Sequence, residues 1–145
     1  MSVTPRVLTE LSASRAAAWY VRMFTQGRHR QPPSSSPSRI VENFRDRDRR
    51  WVLVMIPLRM LNYTTMSQAN DTRIQLAKDY ARRGGEFPPG IGMYERDRGR
   101  RSSRIWVQDG NHRALAAQIR GKHTMRMLMP ENEFRAFLFD QGARR

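Results

Sequence analysis

Cysteine is absent from these 145 residues, which excludes disulfides, thiolate metal sites and a thiol nucleophile. Lysine is nearly absent, occurring only as Lys78 and Lys122. Long apolar runs are missing as well. Val52 to Leu61 is broken by Pro57 and Arg59 and falls short of the roughly 20 apolar residues that a membrane-spanning helix needs. Arg6, Arg15 and Arg22 interrupt the apolar residues near the N-terminus, so no signal-peptide pattern is read there. The expectation is an intracellular, cytoplasmic protein with no membrane partner. Negative charge is also scarce, with 13 acidic against 27 basic residues.

What is present in excess is arginine. With two lysines among 27 basic residues, 25 are Arg, and the net charge is +14. A GC-rich genome explains Arg in place of Lys, but not the surplus of cations over anions. That surplus points to an anionic partner, foremost nucleic acid. It is spread along the chain: residues 1–50 carry net +6 and residues 51–145 net +8. At this length, with 39% hydrophobic residues, one compact domain with a modest core is expected.

The chain divides by composition. Thr4-Pro5 resembles an N-cap followed by proline at the first helical position. A helix is expected from there to about Thr25, with Leu8, Leu11, Trp19 and Met23 near one face. Gln31 to Ser38 is a Pro/Ser linker, and Arg45 to Arg50 alternates charge. These features predict an N-terminal helical extension over residues 1–30, either packed on the main domain or used for self-association. A linker would follow over 31–50, and a main domain over 51–145. In the main domain the order reads strand (Trp51–Leu61), helix (Asp71–Arg83), strand (Ile91–Glu95), strand (Ile105–Gln108), helix (Asn111–Arg120), strand (Thr124–Met129), helix (Glu131–Phe139). This is a small α+β domain. Trp51 and Trp106 read as core, Trp19 as an interface residue.

Chemistry concentrates in Asp109-Gly110-Asn111-His112-Arg113, between the Ile105-Trp106-Val107 strand and an Ala-rich helix. The amides and positive dipole end of such a helix face an anion, and the polar side chains of its first turn add to the grip. Gly110 suits close backbone approach to phosphate, or simply a turn. Arg113 presents a planar fork to phosphate oxygens, or is one surface arginine among many. His112 could contact phosphate or move a proton, and equally could be an exposed polar side chain. Asp109 could hold Mg²⁺ through water, accept a proton, or cap the helix. Glu95 and Asp97 are candidates for a second carboxylate. Arg96, Arg98, Arg100, Arg101 and Arg104 form a basic run, a candidate nucleic-acid contact or a solvated hairpin tip.

Residues 105–121, IWVQDGNHRALAAQIRG, resemble the phosphate-binding loop of the ParB/sulfiredoxin superfamily. Val54 to Leu61 is similar to that family's opening strand and Pro-Leu turn, and Thr124 to Pro130 to the strand after the motif helix. The likeness covers about residues 51–131 and implies a small mixed sheet with flanking helices. Gly110 stands where the family has its loop glycine, and Arg113 where it has its arginine. Asn111 departs: sulfiredoxins carry their reactive cysteine there, and CTP-binding partition proteins carry a glutamate followed by two arginines. The D-G-x-H-R pattern is similar to free-standing ParB-like nuclease and kinase-like members.

Together these readings imply a DNA-associated, nucleotide- or nucleic-acid-phosphate-binding protein of a plasmid, phage or other mobile element. Gly110, Asn111, His112 and Arg113 would hold phosphate. In an NTPase or nuclease, Asp109 and His112 would be catalytic, with Mg²⁺ on Asp109 and ATP or CTP as cofactor. A small-molecule kinase-like enzyme, or a non-catalytic DNA-binding or protein-interaction module, is the alternative.

Overall fold

A computed structural model describes residues 4–25, 42–83, 87–95 and 104–143. The apolar runs that read as strands become β2 (Arg50–Pro57) and β6 (Thr124–Pro130), paired antiparallel from Trp51↔Pro130 to Pro57↔Thr124. Both are buried over most of their length, as continuous rather than alternating apolar runs require. Four further strands complete the sheet: β1 (Arg6–Ser12), β3 (Leu61–Asn62), β4 (Gly90–Met93) and β5 (Ile105–Asp109). The six strands lie in the order β1-β2-β6-β4-β5-β3. β4 runs parallel to β6, and β3 parallel to β5. The remaining neighbours are antiparallel, so the sheet is mixed and the fold α+β, as expected.

Helices cover both faces. On one, Val52, Val54 and Ile56 of β2, Ile105 and Val107 of β5 and Met125, Met127 and Met129 of β6 form the larger core. It is closed by Ala114 and Ala117 of α3 (Asn111–Ile119) and by Phe134 and Phe137 of α4 (Glu131–Ala143). α2 (Asp71–Ala81) packs outside α3, through Ala77 and Tyr80 against Leu115 and Ala116. Asn70 starts α2 by accepting from the Arg73 amide at 2.8 Å, the capping contact its residue type favours.

The opposite face corrects the reading of the N-terminus. Residues 6–12 are strand, not helix, and β1 pairs antiparallel with β2 from Arg6↔Met55 to Ser12↔Arg50. The helix α1 begins only at Ala13 and runs to Thr25. Ser12 ends the strand and caps the helix, its hydroxyl accepting from the Arg15 amide at 3.3 Å. Ala13, Ala16 and Tyr20 of α1 are fully buried and, with Phe44, cover Trp51, Leu53, Ile91 and Leu128. An N-terminal helical extension is therefore not what forms. The boundary at 51 cuts through a sheet, because edge pairing satisfies the β1 backbone and the small face of α1 fits the β2–β6 surface. The face turned inward is Ala13, Ala16 and Tyr20; of the residues expected to meet a partner, Leu11 and Trp19 pack against this core in part, Leu8 is exposed, and the Met23 side chain lies outside the described residues. Trp19 packs only partly against this core.

Trp51 is core, as expected, but Trp106 is not. It is 57% exposed. It lies on the α1 side of β5, whereas α1 packs chiefly on β1 and β2. Among the described residues no helix is long and apolar enough to cross a membrane.

Candidate functional site at the Gly110 turn

β5 delivers Asp109 to the end of the sheet, and Gly110 turns the chain into α3. Gly110 has φ +105°, a conformation that L side chains rarely adopt. A Cβ there would also lie 2.9 Å from the Gly90 Cα. Glycine is thus required by the turn and by the close passage of the β4 backbone. This is a packing reason that needs no phosphate.

Arg113 departs furthest from expectation. It is 2% exposed, not a surface fork. One guanidinium nitrogen, Nη1, donates to the carbonyls of Pro89 and Pro88. The other, Nη2, donates to the Tyr20 hydroxyl at 2.9 Å and lies 3.3 Å from Asp109 Oδ2. The Tyr20 hydroxyl in turn donates to Asp109 Oδ2 at 2.5 Å. Burial opposes the charge on Arg113, but Tyr20 and Asp109 outweigh it and its pKa is raised. The phenol of Tyr20 is pushed well above its ordinary value, first by burial and then by Asp109, with Arg113 opposing. Tyr20 therefore stays protonated and donates. Tyr20, Asp109 and Arg113 form one buried polar knot that ties α1, β5, α3 and the Pro88-Pro89 turn together.

This knot bears on the metal. Asp109 Oδ2 already receives the Tyr20 hydroxyl and faces a guanidinium at 3.3 Å, where a dication would meet like charge. Among the described residues no cluster of three or more His, Asp or Glu could hold a metal. Glu95 gives no help, since Ile91 of β4 is the partner of Asp109. β4 ends at Met93, which pairs with Trp106, so Glu95 follows the strand toward the other end of β5. Asp109 thus does not fit the expected role of Mg²⁺ ligand. Asp97 lies outside the described residues.

Asn111 is also structural. Its amide nitrogen donates to the Val107 carbonyl at 3.2 Å, and its oxygen accepts from the Thr64 amide at 3.4 Å, fastening the loop before α2 to β5.

His112 is partly exposed, as Asp109 and Asn111 are. Its ring meets Tyr80 edge-on at 5.5 Å. Burial lowers its pKa, and Arg113, Arg73 and Arg83 lower it further, against a hydrogen bond with the Leu76 backbone. It is held as neutral imidazole, with one ring nitrogen directed at main chain and cations nearby. Arg73 and Arg83, both exposed on or beside α2, were not among the residues singled out by the motif. Nor was Tyr20. Its only sequence signal is the Ala13, Ala16, Tyr20 spacing of one small helix face.

Of the basic run, Arg104 is exposed immediately before β5. It lies near enough to Tyr63 to oppose the upward shift that burial gives that phenol. Arg96, Arg98, Arg100 and Arg101 lie outside the described residues. His112, in the first turn of α3, thus stands in the field of Arg73 and Arg83, while Arg113 serves the interior. Comparison with protein-family models, with curated proteins and with solved structures returns no match.

Proposed function

We propose that this protein binds the phosphates of nucleic acid or of a nucleotide at the first turn of α3. In this reading it is a DNA-associated ParB-like protein, as the D-G-x-H-R resemblance implies. The observation that carries the reading is a partly exposed His112 in the first turn of α3, in the field of Arg73 and Arg83, in a chain of net charge +14. The positive dipole end and first-turn amides of α3 favour an anion beside His112, and Arg73 and Arg83, from opposite ends of α2, add to the field. His112 is the residue that adjusts, because a neighbouring phosphate favours its charged form. Phosphate contact is assigned to His112 and the main chain, with Arg73 and Arg83 in support. Arg113 acts indirectly, by holding the turn. Binding is favoured over NTPase or nuclease chemistry, because Asp109 Oδ2 is engaged by the Tyr20 hydroxyl and lies against the Arg113 guanidinium, which opposes a metal ion there.

Titration of a labelled duplex DNA and of ATP and CTP over a salt series tests this. Arg73→Ala with Arg83→Ala should weaken binding and flatten the slope of log affinity against log salt by up to about 0.9 per lost contact on duplex. Neutralising Arg98, Arg100 and Arg101 together measures what the basic run adds. Equal slopes and affinities in wild type and the Arg73/Arg83 variant would remove the α3 turn from the proposal.

A further inference from the structure

A second cationic site lies at the opposite end of α3, about 15 Å from Gly110 at 1.5 Å per residue. A cavity of about 380 Å³ is lined there by Arg120, Lys122 and Arg126, with Met55, Phe87 and Met125 among its apolar walls. The volume falls within the range of small-molecule pockets, and so does the pattern of apolar walls with a few convergent polar groups.

The two guanidinium groups are held in place by main chain. Arg120 donates from Nε and Nη2 to the Ala81 carbonyl, at 2.8 and 2.6 Å. Its guanidinium also lies 4.1 Å from the centre of the Phe87 ring. Arg126 donates from Nη2 to the Phe87 carbonyl at 2.7 Å. Long side chains so positioned have already lost much of the rotamer freedom that binding would otherwise cost. Dipole complementation at the C-terminal end of α3 accounts for Arg120 and Lys122. It does not account for Arg126, which comes from β6 and lines the same cavity. Three cations converging on apolar walls raise the local potential and favour an anion there.

We propose that this cavity binds a small organic phosphate. Its phosphoryl group would sit among Arg120, Lys122 and Arg126, and its apolar or aromatic body against Met55, Met125 and Phe87. An inorganic anion would use only half of such a site. The Arg fork suits phosphoryl oxygens, and the lysine adds a mobile point charge. The proposal is independent of the Gly110 turn, because the two sites share no side chain.

The test uses the full chain, labelled at Met methyls and backbone amides for NMR, titrated separately with phenyl phosphate, inorganic phosphate and phenol. Phenyl phosphate should shift the Met55 and Met125 methyls and the Thr124 amide saturably. It should bind at least about tenfold tighter than inorganic phosphate, since its ring is buried. Arg126→Gln should weaken it roughly tenfold, as loss of a charge-assisted contact does. Lys122→Glu alters an exposed side chain, so it reads the site even if Arg126→Gln disturbs the fold, and it too should weaken binding. Shifts confined to residues 110–112, equal affinity for inorganic phosphate, no saturable binding, or unchanged binding in Lys122→Glu would each overturn the proposal.

Discussion

Replacing Tyr20 by Phe deletes one oxygen from the centre of the molecule and leaves nearly everything else in place. The ring keeps its packing against Phe44, 6.0 Å between centroids. What disappears is the acceptor for Arg113 Nη2 at 2.9 Å and the donor to Asp109 Oδ2 at 2.5 Å. The two losses are unequal. The Asp109 side chain is 29% exposed, so water recovers part of what it loses. Arg113, at 2% exposure, cannot turn to water and keeps the Asp109 carboxylate at 3.3 Å. A hydrogen bond to a charged group contributes about 1.5–3 kcal/mol, and two such bonds are lost, the one to Asp109 in part made good by water. The expected destabilisation is therefore about 2–4 kcal/mol, a large share of the roughly 5–15 kcal/mol typical of a domain. Urea denaturation followed by Trp fluorescence measures it, provided the dependence on urea keeps its slope. The double-mutant cycle with Asp109→Asn should show coupling of at least about 0.5 kcal/mol, since the two residues share one network. A loss below about 0.5 kcal/mol in Tyr20→Phe, or strict additivity in the cycle, would refute the knot as a stabilising unit.

Two more outcomes follow from the same geometry. Deleting residues 1–25 should abolish cooperative unfolding. It uncovers Trp51, Leu53, Ile91 and Leu128, each contributing about 1.5–3 kcal/mol by burial; a truncated chain that melts cooperatively would restore the N-terminal segment as an appendage. His112 carries a pH signature, since its folded pKa lies below the ordinary 6.5. The unfolded chain then binds the proton more readily, so this group's stabilisation is complete above pH 6.5 and is lost as pH falls through the folded value. His112→Gln should flatten the acid side of a stability–pH curve, and wild-type DNA binding should tighten on acidification more than that of the variant. Parallel curves for the two proteins would exclude His112 from both roles.

Much of the fold was legible because it rests on local signals. The Asp71 helix was readable from its apolar spacing, and Asn70 at its start accepts a backbone amide. The Asn111 helix, the Thr124 strand and the last helix all form near the residues expected for them. Trp51 to Pro57 could be recognised as a buried strand from its unbroken apolar run. The N-terminus was misread because Val7, Leu8, Thr9 and Leu11 satisfy a helical spacing and a strand equally well. Only pairing with Met55 to Arg50 of β2 decides for the strand. Trp106 was misread for a related reason. Its place on β5 is local information, but whether a helix covers that part of the sheet is not.

The candidate site divides along the same line. By itself the sequence determined the turn at Gly110, the helix behind it and the cationic character of the whole chain, since these depend on neighbouring residues and on composition. Only the tertiary structure decided what the motif side chains do. Arg113 could be read as a phosphate fork until Tyr20, from a helix 93 residues away in the chain, closed over it, and until the Pro88 and Pro89 carbonyls engaged Nη1. A guanidinium has the same chemistry in either setting. Which acceptors reach it first is a matter of packing, and packing joins residues that no window along the chain contains.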